Sequence, residues 1–166
     1  MTYERQTHPI APVFDEKSRV LILGSFPSVK SRETCFFYGH PQNRFWKTLA
    51  GVYGEAVPPN TIDEKKTFLH CHGIALWDVI ASCEIEGSSD VSIKNAVPND
   101  LTLILHAAQI ERIYTNGGTA HRLYRRYLEK QTGMEATCLP STSPANAAWT
   151  AERLRDAWGV ILEESY

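Results

Sequence analysis

The chain has 166 residues, 43% apolar and 22% charged, with a formal net charge of −2, which is the size and balance of one ordinary globular domain spanning residues 1–166. No apolar run reaches the ~18 residues that cross a bilayer, and residues 1–12 lack the apolar centre of a secretory signal, so a cytoplasmic protein is expected. The near-neutral charge argues against a broadly basic nucleic-acid surface, although a local basic patch suffices to hold phosphates.

The first clear element is Val20-Leu21-Ile22-Leu23, a continuous apolar run ending at Gly24. Such runs suit central strands of a parallel sheet, buried on both faces. Gly24-Ser25-Phe26-Pro27-Ser28 follows directly. A glycine and small hydroxyls at that place let backbone approach a ligand, and they equally suit a plain turn. The Gly-x-Ser-x-Gly elbow is missing, which argues against Ser25 as an acyl-transfer nucleophile.

Residues 36–46 then hold five aromatic side chains in eleven positions: Phe36, Phe37, Tyr38, Phe45 and Trp46. Trp46, at the start of a helical pattern over 44–52, is assigned to the core. The others can offer a stacking surface for a flat base. Asn43 carries both a donor and an acceptor.

A second helical pattern covers 62–70 and runs into His70-Cys71-His72. Neighbouring side chains on an extended segment point to opposite faces, so these three do not converge readily on a metal, and packing is the favoured reading. The four cysteines, Cys35, Cys71, Cys83 and Cys138, contain no Cys-x-x-Cys pair. Reduced thiols fit an intracellular protein. A second apolar run, 73–77, ends at Asp78.

A helical pattern over 101–108 precedes a third strand at 110–115, closed by Asn116-Gly117-Gly118. The helix expected at 119–130 carries Arg122, Arg125, Arg126 and Lys130 on one face. That face reads as solvated, with phosphate contact secondary. A fourth strand at 136–139 ends at Pro140. A last helical pattern covers 147–164, and in Ser141-Thr142-Ser143-Pro144-Ala145-Asn146 ahead of it Ser143 and Pro144 read as an N-cap and first helical residue. Such a terminus is an anion site, or simply a capped helix.

Strands alternating with helices predict an α/β fold with a mostly parallel sheet. Ligands in such sheets sit beyond the carboxyl ends of the strands. Segments 24–43, 78–82, 116–118 and 140–146 are therefore where function is expected.

Taken together, Gly24-Ser25-Phe26-Pro27-Ser28, Tyr38-Gly39-His40-Pro41-Gln42-Asn43-Arg44-Phe45-Trp46 and Leu139-Pro140-Ser141-Thr142-Ser143-Pro144-Ala145-Asn146 resemble the hypoxanthine-DNA (deoxyinosine) glycosylase branch of the uracil-DNA glycosylase superfamily. The Asn-Arg-Phe-Trp tetrad is also similar to the mismatch-specific uracil glycosylases. The resemblance runs from about Pro9 to the end. It implies a three-layer α/β/α sandwich around a four-stranded parallel sheet. It also implies a monofunctional glycosylase that releases a deaminated base from DNA in base excision repair. Neither a metal nor an organic cofactor is implied, and the cysteine spacing of the iron–sulfur branch is not found. Most of the superfamily places Asp or Asn after the first strand to orient the attacking water. Here that position is Ser25, and by the resemblance Asn43 takes over.

The resemblance further assigns Asn43 and Ser143 to catalysis. Gly24, Ser25, Phe26, Pro27, Tyr38, Phe45, Asn116, Ser141 and Asn146 are assigned to the base and its flanking phosphates, with Tyr38 stacking on the base and Phe45 as a second stacking candidate. DNA holding a deaminated base, best read as hypoxanthine, is the expected partner, and a monomer is expected. The alternatives are a uracil- or xanthine-directed enzyme of the same fold, a non-catalytic lesion-binding module, and a nucleoside hydrolase. The Asp-rich ribose and calcium site of the last is not visible.

Overall fold

The computed structural model describes residues 4–162. In chain order, β1 (Glu4–Thr7) leads to β2 (Val20–Gly24), α1 (Val29–Thr34), α2 (Phe45–Tyr53) and α3 (Ile62–Cys71). Then come β3 (Ile74–Asp78), β4 (Ile80–Ile85), a 3-10 turn at Asp90–Ser92 and β5 (Lys94–Pro98). The rest is α4 (Thr102–Ala107), β6 (Arg112–Asn116), α5 (Gly118–Tyr127), α6 (Glu129–Thr132), β7 (Ala136–Leu139), α7 (Ala151–Trp158) and a second 3-10 segment, Gly159–Leu162.

The main sheet is parallel, in the order β3-β2-β6-β7. Leu23 stands opposite both Trp77 and Thr115, and Thr115 opposite Cys138. All five residues of β2 are buried. Val20 and Ile22 face a layer built on Leu49 of α2, Phe68 and Leu69 of α3, and Leu154 and Trp158 of α7. Leu21 and Leu23 face the opposite layer, with Ile104 of α4 and Leu123 and Tyr124 of α5. This is the three-layer α/β/α sandwich expected from the resemblance. The four sequence-predicted strands fall within two residues of β2, β3, β6 and β7. β7, one of the two edge strands, departs from the all-buried pattern: its Thr137 and Cys138 are exposed.

A second sheet, antiparallel and ordered β1-β4-β5, was not anticipated. The chain passes from β3 through Val79 straight into β4, so part of the loop expected at 78–82 is strand. Ile80, Cys83 and Ile85 of β4 are buried, but its intervening residues are half-buried and follow no alternation. Register shifts against β5 distort the period further, and a period-2 reading cannot find such a strand. α1 was also missed. The helix expected over 119–130 breaks at Leu128 into α5 and α6.

The helix expected over 147–164 begins at Ala151, and residues 163–164 of that expectation, like residues 1–3 and 165–166 of the expected domain, lie outside the described residues. Its cap is Thr150, whose hydroxyl accepts from the Arg153 N–H, and not Ser143. The His70-Cys71-His72 run closes α3 and is not extended. His70 pairs with Asp15 at 3.2 Å, and His72 pairs with Glu55 at 3.0 Å while stacking on Tyr53. Cys71 is exposed, as are Cys35 and Cys138, so of the four thiols Cys83 alone is buried.

Candidate active site

β2 lies between β3 and β6, and the chain visits first one neighbour and then the other. That reversal opens a crevice at the carboxyl ends of the strands. A hollow of about 360 Å³ occupies it, within the range of small-molecule sites. Gly24 and Ser25 enter it from β2, Asp78 from β3 and Asn116 from β6. Tyr38 and Asn43 come from the aromatic segment, and Ser141 to Ser143 from the loop after β7.

Three polar side chains tie this rim together. The Thr142 backbone N–H donates to Asn116 Oδ1 at 3.0 Å, which leaves the Asn116 amide nitrogen to donate to Thr142 Oγ1 at 3.0 Å. The Thr142 hydroxyl in turn donates to Asn43 Oδ1 at 2.9 Å, and the Phe45 N–H donates to the same oxygen at 2.9 Å. Backbone donors fix the orientation of both amides, because an N–H requires an oxygen. The Asn43 oxygen is therefore spent on the fold. Its NH₂ is the part of the amide left for the hollow. Thr142 is fully buried at the centre of this relay, and the sequence reading gave it no role.

Arg44, also without a role in that reading, fastens the same loop. Its backbone N–H donates to Thr142 O at 3.0 Å, and its guanidinium donates to the carbonyls of Asn146 and Trp149. The Asn146 amide donates to Ser141 O at 3.0 Å. These contacts claim carbonyls that a helix would have given to backbone N–H groups. Residues 141–149 therefore form turns, and Ser143 caps only a local turn through Ala145 N–H at 3.2 Å. The anion-binding helix terminus expected at Ser143 is not formed.

Tyr38 adopts φ 52°, a left-handed conformation rare for an aromatic residue. Its ring stacks on Phe45 at 4.1 Å with 16° between planes. Phe45 is fully buried and packs edge-on against Trp46 and Trp158. Phe45 thus backs the wall and does not line the hollow, and Trp46 is core. Burial, and after it the Asp78 charge, push the Tyr38 phenol far above its ordinary range, with Asn116 offsetting part of the shift.

Two carboxylates that the sequence reading did not single out line the hollow. Asp78 is buried, and its Oδ2 accepts from His8 Nε2 at 2.7 Å. The Ile10 N–H donates to His8 Nδ1 at 3.1 Å, which places the ring proton on Nε2. Asp78 Oδ1 would stand 2.3 Å from a Cβ at position 24, so the close approach requires Gly24. Asp90, in the 3-10 turn, accepts from Ser25 Oγ at 2.8 Å. Burial, and then repulsion from Asp78, raise its carboxyl above the usual range, against the Ser25 bond and Arg122. No local motif marks Asp90; only its 65-residue reach to Ser25 does.

Of the residues assigned from sequence, Gly24, Ser25, Phe26, Pro27, Tyr38, Asn43, Asn116, Ser141 and Ser143 border one hollow. Phe45 lies behind it, and Asn146 borders a shallower groove outside it, beside Trp149. Among the described residues, no three His, Cys, Asp or Glu side chains gather where a metal could sit.

Residues 11–161 match the family model of the uracil DNA glycosylase superfamily. A curated hypoxanthine DNA glycosylase of Methanosarcina acetivorans is 33% identical over 150 residues, covering 90% of this chain and 94% of its own. The hypoxanthine DNA glycosylase of Methanosarcina barkeri is 33% identical over 135 residues, covering 81% and 85%. The solution NMR structure of a Methanosarcina acetivorans protein, assigned by name to the uracil DNA glycosylases, superposes with a TM-score of 0.78. It shares 32% identity over 92% of this chain and 93% of that one.

Proposed function

The chain belongs to the uracil-DNA glycosylase superfamily, and from that premise we propose that it is a monofunctional glycosylase that hydrolyses the N-glycosidic bond of hypoxanthine in DNA. The observation that carries this reading is the Asn116–Thr142–Asn43 relay, which commits the oxygen of an Asn43 side chain bordering the hollow and leaves its NH₂ uncommitted.

The scissile bond is inaccessible in a stacked duplex, so the nucleotide has to rotate out, at a cost of a few kcal/mol that is smaller for a mismatched base. Tyr38 stacks on the extruded base, which contributes roughly 1–3 kcal/mol. Phe45 holds the Tyr38 ring from behind. As the bond breaks, its electron pair moves onto the base. The Asn43 NH₂ donates to the base as it gains charge. A fixed donor of this kind, in a site shielded from water, favours the transition state over the bound substrate.

The carbonyls of Gly24 and Ser25 are held by the N–H groups of Val79 and Ile80 at 2.8 and 3.1 Å. The floor of the hollow is therefore rigid. Ser141 and Ser143, with oxygens already accepting from backbone N–H groups at 3.1 and 3.2 Å, retain hydroxyl protons to donate to the flanking phosphates.

Duplexes holding one hypoxanthine, uracil or xanthine, treated with hot alkali after incubation, test the proposal. Strand breaks at hypoxanthine are expected. Breaks at uracil or xanthine alone would reassign the substrate, and binding without any break would make the chain a lesion-binding module.

A further inference from the structure

Resting on the glycosylase reading above, we propose that Asp90 is a catalytic carboxylate, holding the water that attacks C1′ of the extruded nucleotide and taking its proton. Hydrolysis adds water across the bond between the sugar C1′ and the base nitrogen. The C1′–N bond breaks with its electron pair on the base, and the water oxygen bonds to C1′. One water proton passes to the Asp90 carboxylate, and then through solvent to the anionic base, which leaves neutral. No other reactant is needed, and Asp90 ends ionised as it began.

The hollow contains two carboxylates, and their surroundings distinguish them. Asp78 is 4% exposed. His8 occupies one of its oxygens, and the other is pressed against the backbone of Gly24. Asp90 accepts a single side-chain hydrogen bond, from Ser25 at 2.8 Å to Oδ1, and borders the hollow. No hydrogen bond among the described residues reaches its Oδ2. Ser25 thus orients the carboxyl through one oxygen and leaves the other for a water. Asn43 cannot supply the acceptor, because its oxygen already receives Phe45 N–H and the Thr142 hydroxyl. The donor for the base and the acceptor for the water are therefore separate residues that border the same hollow.

Around the Asp90 carboxyl stand Ser25 from the turn after β2, Asp78 from β3, Tyr38 from the aromatic segment, Cys83 from β4 and Arg122 from α5. Burial and the Asp78 charge oppose ionisation more than Ser25 and Arg122 favour it. A carboxyl poised higher than usual is a better proton acceptor when ionised. It also costs the fold stability as pH rises through its folded-state pKa, because the folded protein binds the proton more tightly than the unfolded chain does.

The test is a single-turnover pH–rate profile on a hypoxanthine duplex for the wild type and Asp90→Asn, with melting followed by circular dichroism. The wild-type rate should climb with pH through a limb above the ordinary carboxylate range. Asp90→Asn should lose about 100-fold or more in rate, lose that limb, and melt at or above the wild-type temperature at neutral pH. A rate within threefold of wild type would overturn the proposal, as would a limb that survives in Asp90→Asn and vanishes in Asp78→Asn. A lowered melting temperature with the limb intact would mark a structural residue and overturn it too. Should Asp90→Asn not fold, formate should restore part of the rate to Asp90→Ala, and no restoration would count against the proposal. A wild type that cleaves while these variants behave like it refutes Asp90 alone. A wild type that cleaves nothing refutes the glycosylase reading with it.

Discussion

The side-chain amide of Asn43 divides its atoms between the fold and the hollow. Its oxygen accepts from Phe45 N–H and the Thr142 hydroxyl, both at 2.9 Å, which leaves its NH₂ for the hollow that Asn43 borders. Two substitutions separate these roles. Asn43→Ala removes both, and should cost about 1–3 kcal/mol of stability from unpaired groups and about 10²–10³ in excision rate. Asn43→Asp keeps an acceptor for Phe45 and Thr142 but replaces the donor with a negative oxygen facing an anionic leaving base. It should lose excision as fully as Asn43→Ala while melting closer to the wild type. Single-turnover cleavage and thermal melts of the two variants, measured side by side, check this; an Asp variant that still cleaves would remove the donor role. Asn43 was legible from its motif, but which of its two ends faces the substrate was not. That depends on Phe45 N–H and on Thr142, which is 99 residues away.

The loop after β7 and the start of α2 act as one element. Arg44 grips the loop through the carbonyls of Asn146 and Trp149, and Thr142 links it to Asn43 and Asn116. Thr142→Val keeps the shape and deletes the hydroxyl. It should cost about 1–3 kcal/mol and lower kcat with little change in KM, because the Asn43 amide loses one of two anchors and a small displacement of a reacting group is expensive in rate. A melt and a steady-state comparison would show it; a KM effect alone would mean the loop binds DNA without ordering Asn43. The helix boundary here was misread for a physical reason. Ser143-Pro144 and Thr150-Ala151 both carry the local marks of a helix start. The choice between them fell to an arginine about a hundred residues earlier, whose guanidinium holds the intervening carbonyls in turns.

Across the whole molecule, the hollow draws on β2, β3, the 3-10 turn, β6 and the loop after β7. It has no independent support. We propose that residues 4–162 unfold as one cooperative unit, so that the loss of excision on heating should track the loss of circular dichroism signal with a single midpoint. Activity lost well below the melt would instead place the rim in a separately opening segment. At this scale the sequence was most informative about the parallel sheet. The runs starting at Val20, Gly73, Ile110 and Ala136 announced four strands, and their order placed the ligand at the carboxyl edge. The antiparallel sheet escaped because β4 follows β3 after one residue and its pattern is broken by register shifts.

The three layers and the meeting of the three motifs came with the family resemblance; by itself the sequence determined the alternating strands and helices and the edge of the sheet where the site lies. Those follow from burial, and burial is written locally in runs and periods of apolar residues. Tertiary structure alone decided that Asp78 and Asp90 share the hollow, that Ser25 holds Asp90, that Phe45 supports Tyr38 from behind, and that Asn43 offers its nitrogen. Hydrogen bonds between residues 65 or 99 positions apart leave no periodic trace in the chain, because each side chain's partner is chosen only when distant segments are packed within about 3 Å.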